Sequence, residues 1–165
     1  MVEPTISWIK YFPVNDQQSI IAAEIKDPNI GWGAKLFNYQ IDVYDKNNLK
    51  IASLKNDSFI YPAEIKYLFD IIQIKFQDIH HTKTNFSDFQ WTPLKNFSQL
   101  DIKIREAKPG IIIPMAAKFL LKTLSLIIIH NNNPFKLSKL KIIGFLRNNQ
   151  GQYVSASKTQ LENKE

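Results

Sequence analysis

The chain has 165 residues, 44% of them apolar and 22% charged, with no cysteine and three histidines. That apolar share suits a folded core and is too high for a disordered chain; the lack of cysteine excludes disulfide frameworks, cysteine-held zinc, iron–sulfur clusters and thiol catalysis. Basic residues outnumber acidic ones 21 to 15, and the excess lies in the second half: residues 1–83 carry 9 basic and 10 acidic groups, residues 84–165 carry 12 and 5.

Thr5 to Phe12 reads as a first strand, with Ile6, Trp8 and Lys10 on one side and Ile9 and Tyr11 on the other. Ser19 to Lys26 is a second, closed by Asp27-Pro28-Asn29. The clearest pattern follows, where Phe37, Tyr39, Ile41 and Val43 alternate with polar residues at the period of a half-buried strand. Lys46-Asn47-Asn48 supplies turn chemistry, because Asn tolerates the left-handed conformation that hairpins use. Leu49, Ile51 and Ser53 then restart a strand, and Asn56-Asp57-Ser58 ends it.

The run after Pro62 fits two periods. Ile65, Leu68, Phe69 and Ile72 have helical spacing, whereas Ile65, Tyr67, Phe69 and Ile71 alternate as in a strand, with a bulge where the pattern switches at Ile72, Ile74 and Phe76. Its content of Ile, Tyr and Phe predicts a strand. Residues 77–90 are polar and read as a linker. Beyond them, Leu124 to His130 is a buried-strand run, and Leu140 to Arg147, the turn Asn148-Asn149-Gln150-Gly151 and Gln152 to Ser157 form a hairpin.

Placing Ile41 on Ile143, an offset of 102, lays this hairpin on the first one, with Val43 on Phe145, Asp45 on Arg147 and Ile51 on Tyr153. A duplicated unit is the expectation. The predicted organisation is all-β: a sandwich module over 1–78, a linker over 79–90 and a second module over 91–165. Residues 158–165 are too short and polar to supply the second module's closing strand. That module is therefore expected to lack its last strand, to be truncated, or to dimerise edge to edge.

Ile41-x-Val43-Tyr44-Asp45 resembles the Phe-x-Leu-Tyr-Asp motif of FxLYD domains. Asp27-Pro28-Asn29 is similar to the Asn-Pro-Asn turn of the water-stress (WHy-like) late-embryogenesis-abundant type 2 domains, and Ile51-Ala52 falls where both groups carry their return strand. Ser58-Phe59-Ile60-x-Pro62 resembles a turn of predicted envelope proteins from small-genome bacteria. The resemblance implies immunoglobulin-like modules, often tethered to a membrane by an N-terminal helix. It implies an extracytoplasmic setting and an envelope or protein partner, and it transfers no catalytic residue.

Other signals are sparse. Met1 to Thr5 shows no basic segment followed by an apolar one, as an export leader would. The most apolar stretch, 111–129, is broken by Pro114, Lys118 and Lys122, which argues against a spanning helix. Asp78, His80 and His81 are the one acidic–histidine cluster, but adjacent histidines in extended chain point opposite ways and suit a solvated segment better than a metal site. Asp42 and Asp45 fall on opposite strand faces, so they form no carboxylate dyad. Asn56, Asn85 and Asn96 begin glycosylation-type triplets of the kind expected by chance in a chain this rich in Asn.

Trp8, Tyr11, Trp32, Tyr39 and Tyr44 could stack on sugars or bases, although most are expected in the core. Trp32, between Gly31 and Gly33, is the aromatic candidate for binding. Lys136, Lys139 and Lys141 are candidates for anion contacts. The function expected is a non-catalytic structural or binding module, a surface spacer or adhesion unit, with no cofactor. The alternative is a polyanion or nucleic-acid binder using the basic half.

Overall fold

The computed structural model describes residues 1–98, 102–113, 122–132 and 140–161. The fold is all-β, built from antiparallel strand pairs. Strands β1 (Thr5–Asn15), β2 (Gln18–Lys26) and β5 (Ile65–Ile72) make one sheet in the order β1-β2-β5. Strands β3 (Trp32–Tyr44), β4 (Lys50–Ile60) and β6 (His81–Ser87) make a second in the order β4-β3-β6, and β7 (Trp91–Pro93) pairs with the start of β3.

The core lies between these two sheets. It takes Ile21, Ala23 and Ile25 from β2, Phe37, Tyr39, Ile41 and Val43 from β3, Ile60 from β4, and Leu68 and Ile72 from β5. The alternation at 37, 39, 41 and 43 is thus the inner face of a sandwich strand, and removing each such side chain from water contributes about 1.5–3 kcal/mol. Tyr39 carries its hydroxyl across the core to donate to Asp70 Oδ2 at 2.6 Å, and Asn56 Nδ2 donates to the other oxygen at 3.1 Å. Two sheets are tied by one carboxylate.

Several boundaries differ from the expectation. β4 does not end at Asn56-Asp57-Ser58: those residues pair with Tyr39, Asn38 and Phe37, because the side-chain amide of Asn56 has Asp70 to bind. β5 is a strand, as expected, but without the bulge. Its register with β2 runs unbroken from Ser19↔Ile72 to Lys26↔Ile65. Its apolar residues switch face because both faces are covered: Leu68 and Ile72 enter the sandwich, while Phe69 faces the other way.

The expected linker, 79–90, contains β6, paired with β3 from Asn38↔Ser87 to Tyr44↔His81. Its inward positions are Thr82, Thr84 and Phe86, and its outward ones are polar, which is why composition alone disguised it.

Strands β10 (Leu140–Arg147) and β11 (Tyr153–Leu161) form the expected hairpin, with β11 running beyond Ser157. Its place is not in a second sandwich. Ile143, Phe145, Tyr153 and Ala156 cover Phe12, Ile20, Ala22 and Phe69 on the outer face of the β1-β2-β5 sheet. Residues Met1–Phe97 and Lys141–Gln160 accordingly form one compact unit. This corrects the division at 79–90: the outer face of β2 and β5 is apolar and needs a cover, and this hairpin supplies it.

A separate unit holds β8 (Ile102–Ile113) and β9 (Lys122–Asn131), which pair antiparallel. Their register shifts between Lys108 and Ile111. Pro109 and Gly110 sit in that shift, where a residue without an N–H can be accommodated.

Candidate functional site

Of the residues singled out for binding, Trp32 is 40% exposed at the start of β3, opposite Pro93. A Cβ on Gly33 would meet the Ile60 carbonyl oxygen at 2.5 Å, so glycine permits a close strand approach there. Lys141 is exposed on β10, and Lys136 and Lys139 lie outside the described residues. Lys141 lies near Lys66: after burial, its charge helps push the Lys66 ammonium below its ordinary range, against the opposing pull of Glu64.

The other polar candidates have structural partners. His81 stacks on Tyr44 with ring centroids 4.8 Å apart, and the His80 N–H donates to the Tyr44 carbonyl at 2.8 Å. Among the described residues no three His, Asp or Glu side chains are placed to hold a metal. Asp42 accepts from Ser53 Oγ at 2.7 Å and Gln40 Nε2 at 2.8 Å, which holds its carboxyl below the usual carboxylate range. Asp45 accepts two backbone N–H groups of its own turn. Asp27 binds Asn29 through backbone and side chain, and Asn29 in turn grips Val2. These acids build turns and strand pairs.

The aromatic residues behave differently. Tyr39 is buried, and the Tyr11 hydroxyl meets Thr82 Oγ1 at 3.1 Å across the sandwich edge. Trp8, on the outer face, joins residues from distant parts of the chain. Its ring lies 5.9 Å from Tyr67, 5.6 Å from Phe145 and 4.9 Å from Tyr153. Tyr67 is also 5.0 Å from Phe145, and its hydroxyl is pushed up by burial and by Glu24 beside it, which favours the neutral phenol. Two cations sit against the same cluster. The Arg147 guanidinium lies 4.2 Å from the centroid of the Tyr153 ring and donates to its hydroxyl, and Lys10 Nζ lies 5.7 Å from that centroid.

Beside this cluster runs a groove of about 380 Å³, lined by Ile9, Lys10, Tyr11, Phe12, Pro13, Phe76, Tyr153 and Val154. Phe76 and Val154 are 45% and 46% exposed, so the groove has apolar shoulders. A larger cleft of about 520 Å³ lies where the β1–β2 turn, the β3–β4 turn and residues 73–80 meet. It is the more polar of the two, and one of its acids, Asp45, is engaged in turn bonds.

Sequence reasoning missed Lys10, Phe76, Val154 and Arg147 as site residues. The available signal was indirect: Ile20-Ile21-Ala22-Ala23 and Leu68-Phe69 are apolar on both strand faces, which implies a cover on the outer side. Among the described residues no helix is long and apolar enough to cross a membrane. No protein-family model, curated protein or solved structure matches the chain.

Proposed function

We propose that this chain is a non-catalytic, protein-binding module of immunoglobulin-like type, with its contact site in the groove beside β1. The observation that carries this reading is the groove itself: apolar shoulders and an aromatic wall lie along β1, with Lys10 in the lining and the Arg147 guanidinium against the Tyr153 ring. Concave, mostly apolar surfaces with a few oriented polar groups are where proteins take ligands. The strand orders β1-β2-β5 and β4-β3-β6 support the immunoglobulin-like assignment. So does the role of Asp45, which closes the β3–β4 turn at the end of the segment similar to the FxLYD motif. A role as a surface spacer or adhesion unit of a cell envelope follows from that resemblance.

The test is an NMR titration with extended peptides of neutral, acidic and basic composition, and separately with heparin. Peptide-induced shifts are expected at Trp8, Lys10, Phe76 and Tyr153, with no saturable heparin binding at physiological salt. Saturable heparin binding centred on Lys141, falling steeply as salt rises, would replace this reading with polyanion binding.

A further inference from the structure

Resting on that reading, we infer that the groove takes an extended peptide that adds to β1 as a fourth strand of the β1-β2-β5 sheet. The peptide's side chains alternate between apolar and acidic.

The geometry of β1 supports strand addition. Among the described residues β1 pairs with β2 alone, so among them no strand covers the backbone N–H and C=O groups of its other edge. Five consecutive residues, Ile9 to Pro13, line the groove. Neighbouring strand residues point to opposite faces. Here Ile9 and Tyr11 pack against the sandwich core, while Phe12 packs on the outer cluster. A groove touching both sets runs along the strand edge rather than over one face. Five strand residues span roughly 17 Å, enough to pair with a peptide of similar length. Pro13, which has no N–H, limits the pairing at that end.

Two observations set the chemistry of the occupant. A strand laid on this edge turns alternate side chains to the two sides of the sheet. Phe76, an exposed aromatic in the groove lining, favours apolar side chains where the strand passes it. On the outer side the peptide's side chains meet Lys10, with Tyr153 and Val154 in the lining and the Arg147 guanidinium held against the Tyr153 ring. Neither cation is paired with a carboxylate among the described residues, so acidic residues complement that side.

The test uses the whole chain and the peptide Val-Glu-Val-Glu-Val-Glu, blocked at both ends, followed by amide NMR and calorimetry. Saturable binding is expected, with new hydrogen-exchange protection at alternate amides of Ile9 to Phe12. N-methylating every second peptide amide should lower affinity about tenfold or more, because it removes strand hydrogen bonds and leaves the side chains. The K10E/R147E double variant should lose a comparable factor for this peptide and gain it for Val-Lys-Val-Lys-Val-Lys. A gain for the swapped peptide excludes misfolding as the cause.

Equal binding of the N-methylated peptide at the groove would overturn strand addition while leaving the binding-module reading intact. Equal binding of the acidic and basic peptides by the unmodified chain would overturn the charge assignment. Protection along β1 that rises with protein concentration alone would assign the edge to a second copy of this chain and overturn the proposal. A groove unmoved by any peptide would overturn both this inference and the reading on which it rests.

Discussion

The hairpins β3–β4 and β10–β11 close through the same turn. In the first, the Asp45 N–H donates to the Leu49 carbonyl at 3.0 Å and the Asn48 N–H to the Asp45 carbonyl at 3.1 Å, while Asp45 Oδ1 accepts from the Asn47 and Leu49 N–H groups. In the second, Asn148 and Gln152 make the corresponding bond at 2.9 Å and Gly151 and Asn148 the next at 2.9 Å; Asn148 Oδ1 accepts from Gln150 and Gln152. Asn48 at φ 61° and Gly151 at φ 77° occupy the same left-handed position.

The turns therefore superpose with Asp45 on Asn148, an offset of 103, one residue away from the offset of 102 that aligns the apolar residues. That single residue inverts the hairpin. Ile41 and Val43, in the sandwich core, correspond to Gly144 and Leu146, and Leu146 is 55% exposed. β10 buries Ile143 and Phe145 instead. Turn chemistry sets which residues oppose each other, and the parity of the apolar residues sets which face is buried; the two are independent. One hairpin ends inside the sandwich and the other covers it from outside.

The difference in depth predicts the largest contrast. Phe37 is fully buried, so Phe37→Ala should destabilise the unit by about 3–5 kcal/mol in urea unfolding. Phe145 is only half-buried in the covering layer, and Phe145→Ala should cost about 1–2 kcal/mol. Equal losses would mean that the outer hairpin belongs to the same close-packed core.

A smaller effect separates the hairpins by pH. Burial first, and then the Asp70 carboxylate, pushes the Tyr39 phenol above its ordinary value of 10.0. Below that value Tyr39 is protonated in both folded and unfolded chains, and its contribution to stability is fully present. Above it the unfolded chain releases the proton while the folded chain holds it, so stability falls as pH rises. Tyr39→Phe should cost about 1.5–3 kcal/mol near neutrality by removing a hydrogen bond to a charged group. It should also flatten the alkaline decline in denaturation midpoints measured from pH 9 to 11, a range that brackets the ordinary value. An unchanged alkaline slope would show that another group sets it.

Much of this architecture was legible in the sequence where one physical signal dominated. The alternation from Phe37 to Val43 marked an inner strand face, β-branched and aromatic content decided β5 against a helix, and Asn148 to Gly151 marked a turn. Legibility failed where tertiary context decided. β6 looked like a linker because its inner face carries two threonines and one phenylalanine. The outer hairpin looked like part of a repeat because its turn and apolar residues copy the first. The groove draws on residues 9–13, 76 and 153–154, three segments with no sequence spacing to link them. Lys10 reads as an ordinary surface lysine until Tyr153 is brought beside it.

The finest test of the comparison lies in the turns. If the two turns are physically the same device, the residue at their left-handed position should respond in the same sense in both. Asn is tolerated there and Gly is favoured, while other side chains are strained. Gly151→Ala should therefore cost about 1 kcal/mol, and Asn48→Ala a smaller amount, because Asn already bears part of the strain. Asn48→Gly should be neutral or stabilising by less than about 1 kcal/mol. Denaturant midpoints and exchange protection of the Leu49 and Gln152 amides would measure each change separately. These two amides are the N–H groups that Asp45 Oδ1 and Asn148 Oδ1 accept. If Gly151→Ala leaves the Gln152 amide protected and the midpoint unmoved, the second turn does not depend on its left-handed residue. The shared hydrogen bonds would then be a coincidence of geometry, and the one-residue inversion of the hairpin would need another cause.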